Sequence, residues 1–101
     1  MTVSTNMDDQ SKTLTITIEG RFDFSAHKAF RDCYEGLTPT PEQFLLDMSA
    51  ANYIDSSALG MLLLLRDHAG GDQAQVEIVN CSPDVKKILT ISNFDQLFTI
   101  H

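Results

Sequence analysis

Between residues 13 and 19 apolar and polar side chains alternate strictly. Leu14, Ile16 and Ile18 fall on one side and Thr13, Thr15, Thr17 and Glu19 on the other, the period of a half-exposed β-strand. Gly20 is expected to end this strand. A short strand over Met1 to Thr5 is expected before it, separated by the polar turn Met7 to Lys12. The period then lengthens: Ala26, Ala29, Phe30, Cys33 and Leu37 share one stripe at helical spacing, which predicts a helix across Ala26 to Gly36 capped by Ser25. Thr38-Pro39-Thr40-Pro41 stops it, because a proline bars the helical conformation for the residue before it.

Phe44-Leu45-Leu46-Asp47-Met48 is short and almost continuously apolar, the pattern of a central strand covered on both faces. A second helix is predicted from about Ser57 to Gly70, where Gly70-Gly71-Asp72 ends it. Gln75 to Cys81 reads as a strand. Ser82-Pro83 supplies the preferred cap and first-turn residues of a third helix, with Val85, Ile88, Leu89 and Ser92 inward, and Leu97 to Ile100 makes a last strand. Strands alternating with helices predict an α/β fold: one mixed, mainly parallel central sheet of about five strands with three helices and right-handed crossovers. A chain of 101 residues forms one domain, able to bury roughly two-thirds of its unfolded surface.

Charge narrows the function classes. Seven Lys and Arg against fourteen Asp and Glu leave a net charge of −7, which argues against nucleic acid and against an anionic membrane surface, both of which need clustered cations. No apolar run approaches the roughly 18 residues of a membrane span, and the N-terminal stretch lacks the basic-then-apolar layout of a secretion signal, so a cytoplasmic location is expected. Cys33 and Cys81 form no metal-ligand pattern and are expected to be reduced; Cys81, beside Val76, Ile78 and Val79, reads as a small core residue.

The candidate chemistry lies in Tyr53-Ile54-Asp55-Ser56-Ser57-Ala58-Leu59-Gly60, which runs straight into Met61-Leu62-Leu63-Leu64-Leu65. A Ser or Asp before an apolar helical run is a helix N-cap, so Asp55 or Ser56 serves that role and one hydroxyl is spare. Ser57 then lies at the first helical position, where backbone N–H groups lack partners, the macrodipole is positive, and a phosphate is tolerated. The simpler reading is a capping cluster and no more. Gly60, Met61, Leu64 and His68 share the stripe of Ser57, with Leu59, Leu62, Leu63 and Arg66 on a neighbouring one. A helix apolar around most of its girth cannot bury every side against one sheet, so the remaining apolar surface is expected either to serve a partner or to be buried under the first or third helix. Arg66 and His68 read as solvated, and Asp23 as closing a turn.

The order strand, strand, helix, strand, helix, strand, helix, strand, with Asp-Ser-Ser-x-Leu-Gly opening the middle helix, resembles the STAS domain of bacterial anti-sigma factor antagonists. The resemblance covers nearly all of residues 1–101. Gly20-Arg21-Phe22-Asp23 is similar to the family's Gly-x-x-Asp, and Ser82-Pro83-Asp84-Val85 to its Ser-Pro-x-Val. Ala58 stands where the motif usually has glycine, and the chain stops at its last strand where many relatives add a C-terminal helix.

The resemblance implies a non-enzymatic, partner-switching regulator of transcription. The unphosphorylated form binds an anti-sigma factor that is also a serine protein kinase, phosphorylation of Ser57 releases it, and a serine phosphatase of the PP2C type resets the switch. No cofactor is implied. Asp23, Asp55 and Ser56 form the neighbourhood of the acceptor, with the Ser56 hydroxyl engaged in capping, and Ser57, Gly60, Met61 and Leu64 form the partner contact. STAS-like domains also serve as small-ligand or nucleotide modules and as parts of transporters, but the chain has no Gly-rich phosphate loop of the G-x-x-x-x-G-K type. A serine hydrolase is weaker again, since Ser57 is not in G-x-S-x-G.

Overall fold

The structure, a computed structural model, describes residues 3–101; Met1 and Thr2, the start of the first predicted strand, lie outside the described residues. Five strands and three helices follow in chain order: β1 (Val3–Asp8), β2 (Thr13–Phe22), α1 (His27–Tyr34), β3 (Gln43–Ile54), α2 (Ser56–His68), β4 (Val76–Val79), α3 (Pro83–Ile91) and β5 (Thr99–Ile100). Short 3-10 turns at Phe24–Ala26, Gly71–Gln73 and Phe94–Gln96 join them. The sheet order is β1-β2-β3-β4-β5, so strands consecutive in sequence are neighbours in space. β1 runs antiparallel to β2, and every other pair is parallel. The expected α/β fold with a mixed, mainly parallel sheet is the one observed.

Burial alternates along the inner strands. Leu14, Ile16 and Ile18 of β2, Phe44, Leu46 and Met48 of β3, and Val76 and Ile78 of β4 are buried, and Thr15, Leu45, Asp47, Glu77 and Val79 between them are only partly covered. This is the signature of a sheet covered on one face. The expectation that β3 is covered on both faces therefore fails: Leu45 and Asp47 turn toward the open side, where the Asp47 carboxylate accepts from the Ser49 N–H (2.9 Å) and the Asn80 amide (3.3 Å). Right-handed crossovers between strands laid side by side in one direction place successive helices on the same face.

Gly20 bends β2 where it was expected to end it. It adopts φ +72°, a conformation that costs glycine little, and the pairing with β3 shifts register between Thr17 and Glu19 and again between Gly20 and Arg21. The strand resumes to Phe22, which pairs with Ile54 at the end of β3. β3 correspondingly runs through Ser49, Ala50 and Asn52 to Ile54, far past the predicted end at Met48. Two long neighbouring parallel strands thus finish level with each other, and the residues following them, Asp23 and Asp55, become neighbours.

α1 enters through a tight turn. Asp23, and not Ser25, provides the side-chain cap, accepting from the Ser25 N–H at 3.0 Å, and α1 proper begins only at His27. α3 opens as expected, with the Ser82 hydroxyl accepting from the Val85 N–H at 3.2 Å and Pro83 in the first turn. Val85 and Leu89 face the core, whereas Ile88, expected inward, is exposed. Arg66, expected to be solvated, is a clasp: its guanidinium donates to the Leu97 carbonyl at 3.1 Å and to the Asp72 carboxylate at 3.1 Å, tying the end of α2 to the segment before β5. Cys33 and Cys81 are free thiols packed against the core, and burial raises the pKa of both.

Candidate functional site at the carboxyl ends of β2 and β3

Asp55 is the N-cap of α2. Its Oδ1 accepts from the Ala58 N–H at 3.0 Å and from the Ser57 hydroxyl at 2.6 Å. Of the two expected capping candidates the structure selects Asp55. Ser56, expected to be engaged in capping, is the exposed first helical residue, and Ser57 is the second, half-buried with its hydroxyl held by Asp55. The Ser57 hydroxyl holds the Asp55 carboxyl below the usual carboxylate range, the Ala58 N–H adds to this, and the nearby negative charge of Asp23 opposes it.

Asp23 repeats the arrangement one strand away. Its carboxylate accepts from the Ser25 hydroxyl and the Ser25 N–H, which together lower its pKa, with Arg21 contributing through a long 3.5 Å contact. The Arg21 guanidinium also lies 4.0 Å from the centre of the Tyr53 ring, so a cation–π contact bridges the last turns of β2 and β3. The two junctions are chemically parallel: Asp23-Phe24-Ser25-Ala26 and Asp55-Ser56-Ser57-Ala58 share Asp-x-Ser-Ala, and in each the alanine is buried and the serine bonds to its aspartate. This doubling was readable from the sequence as a repeated tetrad but was missed, because it becomes meaningful only once Phe22 and Ile54 are register partners.

Along α2 the residues expected to share one stripe separate by depth. Gly60 is exposed and Leu64 is 52% exposed, while Met61 is 4% exposed and packs in the core with Ala58, Leu62 and Leu65. Met61 is therefore corrected from a partner contact to a core residue. Its side is the buried one, whereas Ser57 is half-buried and Gly60 and Leu64 are exposed. Leu64 borders a shallow groove of about 350 Å³ between α1 and α2, together with His27, Arg31, Tyr34, Asp67 and His68. His68 lies over the edge of this groove with its ring 5.0 Å from that of Tyr34. Phe24, 68% exposed, stacks on His27 at 5.2 Å and extends the apolar surface back to the Asp23 turn. Phe24 was not anticipated as a site residue; an aromatic set inside a polar turn was the available signal.

Residues 4–101 match the STAS domain family, and the chain belongs to it. A STAS-domain containing protein of Pseudomonas aeruginosa is 64% identical over 87 residues, which is 86% of each chain. Among solved structures, the anti-sigma factor antagonist SpoIIAA in its unphosphorylated form is similar with a TM-score of 0.76 at 17% identity, covering 98% of this chain and 86% of that one. The STAS domain of a SulP transporter from Vibrio cholerae is similar with a TM-score of 0.68 at 18% identity, covering 83% of this chain and 68% of that one. These two likenesses establish the shared fold. No helix among the described residues is long and apolar enough to cross a membrane.

Proposed function

We propose that this STAS domain is a phosphorylation-controlled partner switch. Its unphosphorylated form binds an anti-sigma factor that is a serine kinase, or a similar regulator; phosphorylation of Ser57 releases it, and a PP2C-type phosphatase resets it. The observation that carries the reading is the Ser57 hydroxyl itself. It is held 2.6 Å from the Asp55 carboxylate at the opening of α2, beside a second carboxylate turn, on a helix whose exposed side carries Leu64.

The geometry accounts for a switch that alters the surface and spares the fold. A phosphoryl group on Ser57 removes the hydroxyl donor from Asp55 and brings about −1.5 to −2 charges close to that carboxylate. The Ala58 N–H, which the bare helix end would offer a phosphate, is already taken by Asp55. The phosphate must compete with a carboxylate or turn outward, because like charges brought this close repel. Loss of one helix cap is a small part of the roughly 5–15 kcal/mol stability typical of a domain. The domain stays folded, and the partner meets a strongly hydrated dianion where it met a hydroxyl. Burying that group unpaired costs several kcal/mol, and a penalty of about 2.8 kcal/mol already weakens binding about a hundredfold.

The test is co-purification from the protein's own cells. The wild type and Ser57→Ala should carry a serine-kinase-like partner, with Ser57→Ala retaining it after ATP is added and the wild type losing it. Ser57→Asp should bind more weakly than either. Equal retention of the partner by phosphorylated and unphosphorylated wild type would refute the proposal.

A further inference from the structure

The two edges of the sheet are built differently. β5 is two residues long, a blunt end. β1 is six residues long, and its pairing with β2 runs in unbroken register from Val3 opposite Ile18 to Asp8 opposite Thr13. It holds no proline, lysine or bulge, the devices that ordinarily stop an edge from pairing further, and among the described residues no strand lies on its outer side. An edge of this length with its backbone groups free is a template for another strand.

Side chains beside that edge are arranged to receive one. Two hollows adjoin along it, the first between β1 and α1 and the second between β1, Leu14 of β2 and the Leu37-Thr38-Pro39 segment after α1, and both are bordered by Thr5 and Cys33. The first, about 360 Å³, reaches Val3 and Ala29; the second, about 200 Å³, reaches Met7 and Leu37. Val3, Thr5 and Met7 are alternate residues of β1, so the hollows follow one another at the two-residue period of a strand, the spacing at which an added strand presents its own side chains. Charge is one-sided as well. Asp32 lines the first hollow and Asp9 the second, Asp8 closes the strand, and no Lys or Arg lines either hollow. Asp32 also pairs with Lys28 at 3.0 Å, both side chains being exposed, which leaves Asp9 as the hollow-lining carboxylate without an ion pair among the described residues.

We propose that the β1 edge is a docking site for an extended, cationic polypeptide segment, which joins the sheet as a further strand with alternate apolar side chains in the two hollows. Backbone hydrogen bonds to β1 supply the affinity, the hollows select small or medium apolar side chains at every second position, and Asp9 and Asp32 select Lys or Arg beside them. The site is separate from Ser57, since α1 and β2 stand between them, so it stands or falls independently of the switch proposed above.

The probe is a capped peptide alternating lysine and valine, titrated into the isotope-labelled protein. Amide signals of Val3–Asp8 should shift and their hydrogen exchange should slow, with smaller shifts at Ala29 and Cys33. N-methylation of the peptide amides that face β1 removes about one hydrogen bond each, so methylating two should weaken binding about tenfold or more. A peptide alternating glutamate and valine should not bind. Two variants check the groove. Asp9→Asn with Asp32→Asn should weaken binding several-fold at low salt, and Ala29→Phe, which fills the first hollow from a half-buried position on α1, should block it provided circular dichroism shows the domain folded. The proposal is overturned by no binding, by shifts confined to other surfaces, by equal binding of the N-methylated peptide, or by sedimentation showing that β1 instead pairs two copies of this chain.

Discussion

The junctions after β2 and β3 start from one pattern and diverge within three residues. In both, Asp-x-Ser-Ala follows a buried strand-terminal residue, and in both the aspartate takes the serine hydroxyl. At Asp23 the carboxylate also takes the N–H two residues on, which closes a 3-10 turn; α1 then starts behind Ala26, which gives no side-chain cap. At Asp55 it takes the N–H three residues on, which opens an α-helix directly and extends it to His68. The corresponding x-residues follow suit, Phe24 being thrown into solvent and Ser56 sitting as a polar first-turn residue. Ser25 is exposed and followed by His27-Lys28, whereas Ser57 is half-buried and followed along its side of the helix by Gly60 and Leu64. The same local hydrogen bonds thus serve a turn in one place and a candidate switch in the other. The surface that follows the motif makes the difference.

That comparison can be broken most decisively at the two serines. Ser57→Ala should abolish phosphate incorporation by the co-purified kinase, while Ser25→Ala should leave it unchanged. Phosphopeptide mapping reads this directly, and phosphate on Ser25 or Ser56 would erase the distinction. The next largest effect separates the two sides of α2. Met61→Asp puts an unpaired charge in the core and should cost about 3 to 5 kcal/mol in urea unfolding. Leu64→Asp, on the solvent side, should stay within about 0.5 kcal/mol of wild type while weakening partner binding. A smaller effect compares the caps themselves. Asp55→Ala should lower the urea unfolding midpoint and Asp23→Ala should lower it less, since the latter caps only one 3-10 turn.

The smallest effect concerns acid. Both carboxyls have a folded pKa below the ordinary value, so their stabilisation is complete above the unfolded pKa of about 4 and is lost as pH falls from there through the folded value. Thermal unfolding midpoints should decline below about pH 4, and less steeply in Asp55→Asn than in wild type.

Much of this was legible in the chain. The Thr-Leu-Thr-Ile-Thr-Ile alternation located β2, Ser82-Pro83 located the start of α3, and Asp55-Ser56-Ser57 before an apolar run located the opening of α2. Three things were not. Ser49-Ala50-Ala51-Asn52 has the composition of a loop, and it became strand because the bulged extension of β2 supplies a partner, with Glu19 opposite Ala50 and Gly20 opposite Ala51. This is tertiary pairing overriding local preference. Met61 was misplaced because α2 is apolar on nearly every side, so its sequence does not say which side the sheet takes; a rotation of less than half a turn exchanges core and surface. The half-open sheet was hidden in Phe44-Leu45-Leu46, where an apolar Leu45 occupies a solvated face.

The sheet order has a consequence for how the molecule assembles. Because β1, β2, β3, β4 and β5 lie side by side in the order of synthesis, each strand docks on one that has already emerged, and no later strand must insert between earlier ones. Every loop closure is short for a parallel sheet, which keeps the entropic cost of each pairing low and favours stepwise folding as the chain leaves the ribosome. The Asp23 and Asp55 turns come together when β3 meets β2, while α3 and β5 are still unmade. Pulsed hydrogen exchange during refolding should accordingly protect amides of β2 and β3 before those of β4 and β5; simultaneous protection across the sheet would mean that assembly is a single concerted step.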